Sequence, residues 1–132
     1  MTGTFMMSAD TPPEILDWGT LRWMSHPPST GAGQLTVIEV NITPGQGHDF
    51  HKHPAQEEVI YCISGKVEQW LGQEKRILGP GDSVFIGADM VHASFNVGDT
   101  DAKLLAILGP CVGDQGYELV DVAGEAPWKD LR

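Results

Sequence analysis

Apolar residues recur along the chain in short runs of five to eight, separated by Gly, Pro, Asp and Asn, from about position 21 to position 122. The 3.6-residue period of an amphipathic helix is hard to find, so the pattern favours β-strands. Pairs such as Pro44-Gly45 and Ser64-Gly65 supply the fixed or positive φ that hairpin turns need. The spacing predicts an all-β sandwich or barrel. The candidate strands lie at residues 21–24, 35–42, 48–53, 58–63, 66–71, 83–86, 93–96, 103–108 and 117–122.

The run at residues 35–42 shows the alternation of a half-buried strand. Thr36, Ile38, Val40 and Ile42 fall on one side, which we expect to face the core. Residues 1–34, rich in Pro and Trp, predict an ordered arm and the first strand. Residues 35–110 would form the barrel core, and residues 111–132 a last strand and tail. No internal repeat is visible, so the three parts are expected to form a single domain.

Composition narrows the classes of protein that the chain can belong to. A length of 132 residues, 41% of them hydrophobic, suits one domain. The net charge of −10 repels phosphate backbones and anionic lipids, which argues against nucleic-acid and membrane partners. No apolar run approaches the ~18 residues that span a bilayer, and the start does not resemble a signal peptide, so we expect a cytoplasmic protein. The two cysteines, Cys62 and Cys111, are too few for a disulfide framework and are expected to be reduced.

Four residues form the strongest candidate for chemistry. His51 and His53 are two apart, so in a strand they project to the same face. Glu58 stands at an odd spacing from them and can join only if the strand breaks, which Pro54 provides because it has no N–H for a central ladder. His92 follows later in the chain. Neutral imidazoles and a carboxylate are ligands that a divalent first-row metal prefers, so this set predicts a metal site. Glu57 competes with Glu58, but its predicted face is less suitable.

The predicted strands place further side chains around this site. Ser94 and Asn96 share a face with His92, and Asn96 could orient a ligand or hold a water. Ile60 and Cys62 share a face with Glu58. Apolar walls are expected from Ile38, Val40, Ile60 and Phe85.

Other polar and aromatic residues receive ordinary structural interpretations. His26 and His48 are expected to be surface or core residues rather than ligands, and Tyr61 and Trp70 to be packing residues. Asp49 could line the mouth of the pocket or lie in solvent.

The segments that hold these ligands resemble the two motifs of the cupin superfamily. The first motif, G-x5-H-x-H-x(3 or 4)-E-x6-G, is complete from Gly45 to Gly65. In the second, G-x5-P-x-G-x2-H-x3-N, Gly87 stands where the family usually has Pro and Asp89 where it usually has Gly. The spacing is intact, but the turn ahead of His92 could differ in shape. Small single-domain cupins of the cupin 2 type share this arrangement.

The resemblance implies a double-stranded β-helix, or jelly-roll barrel, and a homodimer. It also implies that His51, His53, Glu58 and His92 bind one divalent transition metal per chain, with Fe, Mn, Ni and Zn as candidates. We expect a metal-dependent oxidoreductase of dioxygenase type acting on a small oxygenated organic molecule. Two alternatives stay open: a module that binds or senses a metal or small molecule without catalysis, and a metal-dependent lyase or isomerase.

Overall fold

The structure, a computed structural model, describes residues 2–132 and is built almost entirely from antiparallel strands. One short helix, α1, spans Pro27–Thr30, and short 3-10 helices span Ser8–Asp10 and Trp128–Asp130. The strands are β1 (Glu14–Leu16), β2 (Gly19–Ser25), β3 (Thr36–Ile42), β4 (Gly47–Lys52), β5 (Glu57–Ser64), β6 (Val67–Leu71), β7 (Glu74–Leu78), β8 (Ser83–Ile86), β9 (His92–Asn96), β10 (Ala102–Gly109) and β11 (Val120–Asp121).

The first sheet contains six strands in the order β1-β2-β3-β10-β5-β8. The alternation predicted for β3 is confirmed, since its even-numbered residues are buried and its odd-numbered residues are not. Val40 lies opposite Leu21 on one neighbouring strand and Leu104 on the other. These inward side chains form the larger part of the core. Replacing Leu104, which is only 2% exposed, with Ala would lower the free energy of unfolding by roughly 2–5 kcal/mol.

The second sheet contains five strands in the order β11-β4-β9-β6-β7. Val67 and Leu78 point from it into the core shared with the first sheet. Alternate residues of the same sheet, among them Phe50 and Phe95, belong to a second apolar cluster that Trp128 from the C-terminal tail helps to cover. Both faces of the five-stranded sheet are therefore covered, and the two sheets together make the expected jelly-roll barrel.

The predicted pattern of strands is confirmed with three differences. The last predicted strand shortens to the two residues of β11, because residues 117–119 have no regular structure. β1 and β7 were missed, since both are short edge strands with little apolar alternation. Both cysteines are free, as expected. Within the described residues, no helix has the length and apolar character needed to cross a bilayer.

Candidate metal centre

Three buried imidazoles meet at one end of the barrel. His51 lies near the end of β4, His53 follows that strand, and His92 begins β9. His51 and His92 are directly opposite each other in the antiparallel pair of β4 and β9. One nitrogen from each of the three rings lies within 4.8 Å of the others, and none of the three side chains is more than 4% exposed.

Main-chain carbonyls fix the orientation of all three rings. A carbonyl oxygen can only accept a hydrogen bond, so each Nδ1 must carry the proton and each Nε2 is left with a free lone pair. This is the tautomer that a metal-binding imidazole needs. The Nδ1–oxygen distances are 2.6 Å from His51 to Asp49, 2.7 Å from His53 to Glu118 and 2.9 Å from His92 to Met90.

Glu58 faces the same point from β5. Its Oε1 lies 2.9 Å from Nε2 of His92 and 3.4 Å from Nε2 of His53. Neither Oε1 of Glu58 nor Nε2 of His92 has a hydrogen-bond partner, although both atoms are buried. With the proton on Nδ1, the lone pair of Nε2 of His92 faces a lone pair of Oε1 of Glu58 at 2.9 Å, and a divalent cation bound to both atoms would relieve that repulsion. The donor set therefore fits a metal. The neighbouring Glu57 is exposed.

The charge states also suit a cation. Burial raises the pKa of Glu58, but a proton on Nε2 of His53 and of His92 more than reverses that effect and lowers the pKa to about 2, so the carboxylate responds strongly to positive charge at this point. Burial, reinforced by the neighbouring His48 and His92, lowers the pKa of His51 well below its usual range. At neutral pH the carboxylate of Glu58 and the neutral imidazole of His51 are both available to a divalent cation.

A turn at Pro54-Ala55 separates β4 from β5, and this break lets Glu58 reach the imidazoles. Gln56, which is 1% exposed, ties the turn to the C-terminal segment. Its Nε2 donates to the carbonyl oxygens of Pro110 at 2.8 Å and Gly116 at 3.0 Å, and its Oε1 accepts from the N–H of Glu118 at 3.1 Å. Sequence reasoning missed Gln56 because its partners lie more than 50 residues away.

A small cavity opens beside the imidazoles. His51, Glu58 and Ser94 line its polar side, and apolar residues of the six-stranded sheet line the rest, including Ile38, Val40 and Ile60 as expected. The hydroxyl of Ser94 donates to Oε1 of Gln69 at 2.6 Å. The space open to the centre of a water molecule is about 30 Å³, so the cavity holds only a few waters or the end of a ligand.

Three of the predicted pocket residues lie elsewhere. Phe85 does not form a cavity wall, because it points away from the core and is 58% exposed. Asn96 does not orient a ligand: its Nδ2 donates to the carbonyl oxygens of Ile42 and Thr100, and its Oδ1 accepts from Gly98. Cys62 is buried farther along β5, where its thiol faces the carbonyl oxygens of Ser64 and Gly65 rather than the cavity.

His48 lies in the site, contrary to the interpretation given to it from the sequence. Its ring stacks on His51 with centroids 3.7 Å apart, and on its other side it stacks on Trp18 at 4.8 Å. A shift in register between His48 and His51 breaks the regular alternation, so residues three apart share a face. Burial, together with His92, lowers the pKa of His48 to about 4. His26 lies outside the cluster, as expected.

Two further residues near the site, Asp49 and Tyr117, have contacts that define their roles. The carboxylate of Asp49 is directed to its own strand, where Oδ1 accepts from the N–H of Phe50. Tyr117, from the C-terminal segment, packs on His53 with ring centroids 5.0 Å apart and lines the cavity. Burial, reinforced by the charge of Glu58, raises the pKa of Tyr117, so its hydroxyl stays protonated.

The turn ahead of His92 accommodates the unusual Asp89. This residue has a φ of 67°, the left-handed conformation that glycine adopts most easily and that Asp tolerates better than most residues. Its N–H donates to the carbonyl oxygen of His53 at 2.9 Å, and its carboxylate pairs with Lys52 at 3.1 Å. The substitution of Asp for the family's usual Gly therefore leaves the spacing to His92 intact.

Comparisons with known proteins agree with this geometry. The sequence model of the cupin domain matches residues 38–108. The chain is 32% identical to the protein SchB of Streptomyces halstedii over 101 residues, covering 76% of this chain and 73% of SchB. It is 30% identical to the polyketide synthase CurC of Streptomyces cyaneus over 114 residues, covering 86% of this chain and 74% of CurC.

More distant similarities extend to an oxidoreductase and to a solved structure. Quercetin 2,3-dioxygenase of Bacillus subtilis is 28% identical over 78 residues, which cover 59% of this chain and 23% of the dioxygenase. The structure of KdgF from Halomonas sp. superposes with a TM-score of 0.76 at 21% identity, covering 86% of this chain and 98% of KdgF. At that identity the superposition shows the shared fold alone.

Proposed function

The chain belongs to the cupin family, and on that premise we propose that it is a metal-dependent oxidoreductase of dioxygenase type acting on a small oxygenated organic molecule. His51, His53, His92 and Glu58 would hold one divalent transition metal per chain, with Fe, Mn, Ni and Zn as candidates. One observation carries the proposal: three buried imidazoles have ring nitrogens within 4.8 Å of one another, and Nε2 of two of them lies within 3.4 Å of a buried carboxylate oxygen that has no hydrogen-bond partner.

A bound metal would supply a Lewis acid and, if it is iron, a redox centre for O2. The chain's own residues define which molecule fits beside it. Neutral imidazoles and one carboxylate around a divalent ion leave a charge near +1, which favours an anionic ligand with two adjacent oxygens. The apolar walls formed by Ile38, Val40 and Ile60 exclude water. A ring nitrogen of His48, which burial keeps neutral, can accept a hydrogen bond from a ligand hydroxyl that enters the cavity.

The comparisons help to weigh the alternatives. The similarity to quercetin 2,3-dioxygenase supports oxidation, although the chain spans only 23% of that protein, and the similarity to a dimethylsulfoniopropionate lyase keeps a lyase reaction as the second candidate.

Metal analysis tests the proposal first. Purified protein loaded with Fe(II), Mn, Ni or Zn should bind close to one ion per chain. The substitutions His51→Ala and Glu58→Ala should release it, and His26→Ala, a histidine outside the cluster, should retain it. The second measurement is oxygen uptake by the Fe(II)-loaded protein with a panel of enolisable and phenolic substrates. A folded wild-type chain that binds none of these metals would refute the metal site, and metal binding without oxygen uptake would favour the binding module.

We propose further that the chain forms a homodimer through the outer face of the six-stranded sheet. Phe85, Val59 and Ile107 lie side by side across three strands of this face, and Tyr61 lies beside Leu105 in the next row. Phe85 is 58% exposed and Tyr61 42%, so the sheet presents a continuous apolar patch. A two-fold axis through such a patch would bury the same residues of both copies. Phe85→Asp should convert the dimer to a monomer in analytical ultracentrifugation, and a monomeric wild-type chain would contradict this proposal.

A further inference from the structure

A broad groove lies outside the metal cavity. It shares Leu21, His48 and Tyr117 with the cavity, so the two spaces adjoin at these side chains. Counted as space open to the centre of a water molecule, the groove has about 630 Å³ and the cavity about 30 Å³. A ligand of more than a few atoms can therefore place only its end at the imidazoles. The rest of its body must lie in the groove.

The walls of the groove combine the aromatic rings of Trp18, Trp23 and Tyr117 with leucine side chains. Trp18 continues the stack that begins at His51 and passes through His48. Trp23 meets Tyr117 edge to face, with ring centroids 5.4 Å apart, and its indole N–H donates to Glu14 at 3.1 Å. Because that N–H already has a partner, Trp23 offers the groove an apolar ring surface. Such surfaces bind flat, conjugated molecules better than flexible polar ones.

The charges of the groove restrict the ligand further. No Lys or Arg lines it in the part of the chain that the structure describes, and its one carboxylate is that of Glu14. Phosphate groups usually require such cations. Nucleotides and other molecules with a phosphorylated body would therefore find no counter-charge, and would be repelled by Glu14. An uncharged body suits the groove.

We infer that the groove binds the uncharged, flat aromatic body of a ligand whose two adjacent oxygens enter the cavity at His51, Glu58 and His92. This inference rests on the proposed function for the oxygen-bearing end of the ligand. The aromatic body is recognised by Trp23 and by Trp18, which is separated from the candidate ligand His51 by the ring of His48. The substrate class is thus a phenolic molecule of two or more fused rings rather than a small aliphatic acid.

Calorimetric titration of the zinc-loaded protein tests the inference, since zinc does not oxidise the probes. The first probe is 2,3-dihydroxynaphthalene, which has adjacent oxygens on a fused ring. The second is acetohydroxamate, which has two oxygens and no ring. Trp23→Leu and Trp18→Leu should each weaken binding of the naphthalene about fivefold and leave that of acetohydroxamate unchanged. Trp128→Leu, on the outer side of the other sheet, is the matched control and should change neither.

The possible results separate the groove from the metal site. Unchanged affinity for the naphthalene in both folded groove variants would overturn the inference while leaving the proposed function intact. Competition by adenosine monophosphate for the groove would also overturn it, because the charge argument would then be wrong. If the protein fails to bind zinc, the proposed function fails. In that case, titration of the metal-free protein with 2-naphthol tests the groove by itself. Binding that Trp23→Leu weakens would support the inference that the groove binds an aromatic body, and no binding would overturn it.

Discussion

Gln56 provides the most informative perturbation, because it connects the metal site to the end of the chain without touching a metal ligand. Replacing it with Leu keeps the side chain's size and removes its three hydrogen bonds, which measure 2.8, 3.0 and 3.1 Å. The carbonyl of Gly116 keeps a second donor, the hydroxyl of Thr36 at 2.7 Å. The carbonyl of Pro110 and the N–H of Glu118 lose their partner, but both residues are exposed, so water can reach these two groups. The net loss of these hydrogen bonds predicts a decrease of roughly 2 kcal/mol in the free energy of unfolding.

The same substitution should weaken metal binding. The carbonyl of Glu118 accepts the Nδ1 proton of His53, and Gln56 holds that residue's N–H in place. When the anchor is lost, the ring of His53 is less well oriented, and loss of such an outer partner typically costs 10–100-fold in metal affinity. Gln56→Leu should therefore show both a lower melting temperature in the metal-free state and a weaker Kd for zinc in chelator competition.

Gln69 provides the matched control for this experiment. It is also buried, at 3% exposed, and its side chain bonds to Ser94 and to the carbonyl of Trp70, but it supports no imidazole. Gln69→Leu should lower the melting temperature by a similar amount and leave the Kd for zinc nearly unchanged. If Gln56→Leu folds and binds zinc within twofold of the wild-type Kd, the argument that Gln56 positions His53 is refuted.

Two further predictions concern the turn before His92 and the pH dependence of the fold. Asp89→Gly should change the melting temperature little, because glycine accepts a φ of 67°, whereas Asp89→Val should cost about 1–2 kcal/mol; equal melting temperatures would contradict this account. Because burial lowers the pKa of His48 to about 4, unfolding takes up a proton below pH 6.5, and the metal-free fold should lose roughly 2 kcal/mol between pH 7 and pH 5 from this residue alone. Melting curves of metal-free protein should therefore shift downward over that interval and stay level above pH 7, and a flat profile would argue against a buried neutral imidazole.

Regular alternation made much of the fold predictable. Residues 35–42 alternate without interruption, and their buried side is the one expected. The strand at 83–86 was located with its observed limits. β7 was not found because four of its five residues are exposed, so its strand conformation comes from backbone pairing with β6 rather than from a hydrophobic face.

The candidate site was predictable where the spacing of residues along a strand determines the face to which their side chains point. The sequence shows a same-face pair, a proline break and a later strand, and these features predicted the set of His51, His53, Glu58 and His92. The position of His48 in the cavity wall was not predicted, because the irregularity in β4 that brings it to the face of His51 is not visible in the sequence. The carbonyl of Glu118 could not be anticipated, since any residue type offers the same atom and only the path of the chain brings it to His53.

The bond between His53 and the carbonyl of Glu118 also sets an order of events during protein synthesis. All four candidate ligands leave the ribosome before residue 118 does, so a nascent chain can bring them together while one of them still lacks its partner. An ion captured at that stage would be held by a loosely oriented imidazole and could exchange with others in the cell. Tight binding, and with it the choice among competing metals, would be established only after the C-terminal segment has closed over the barrel.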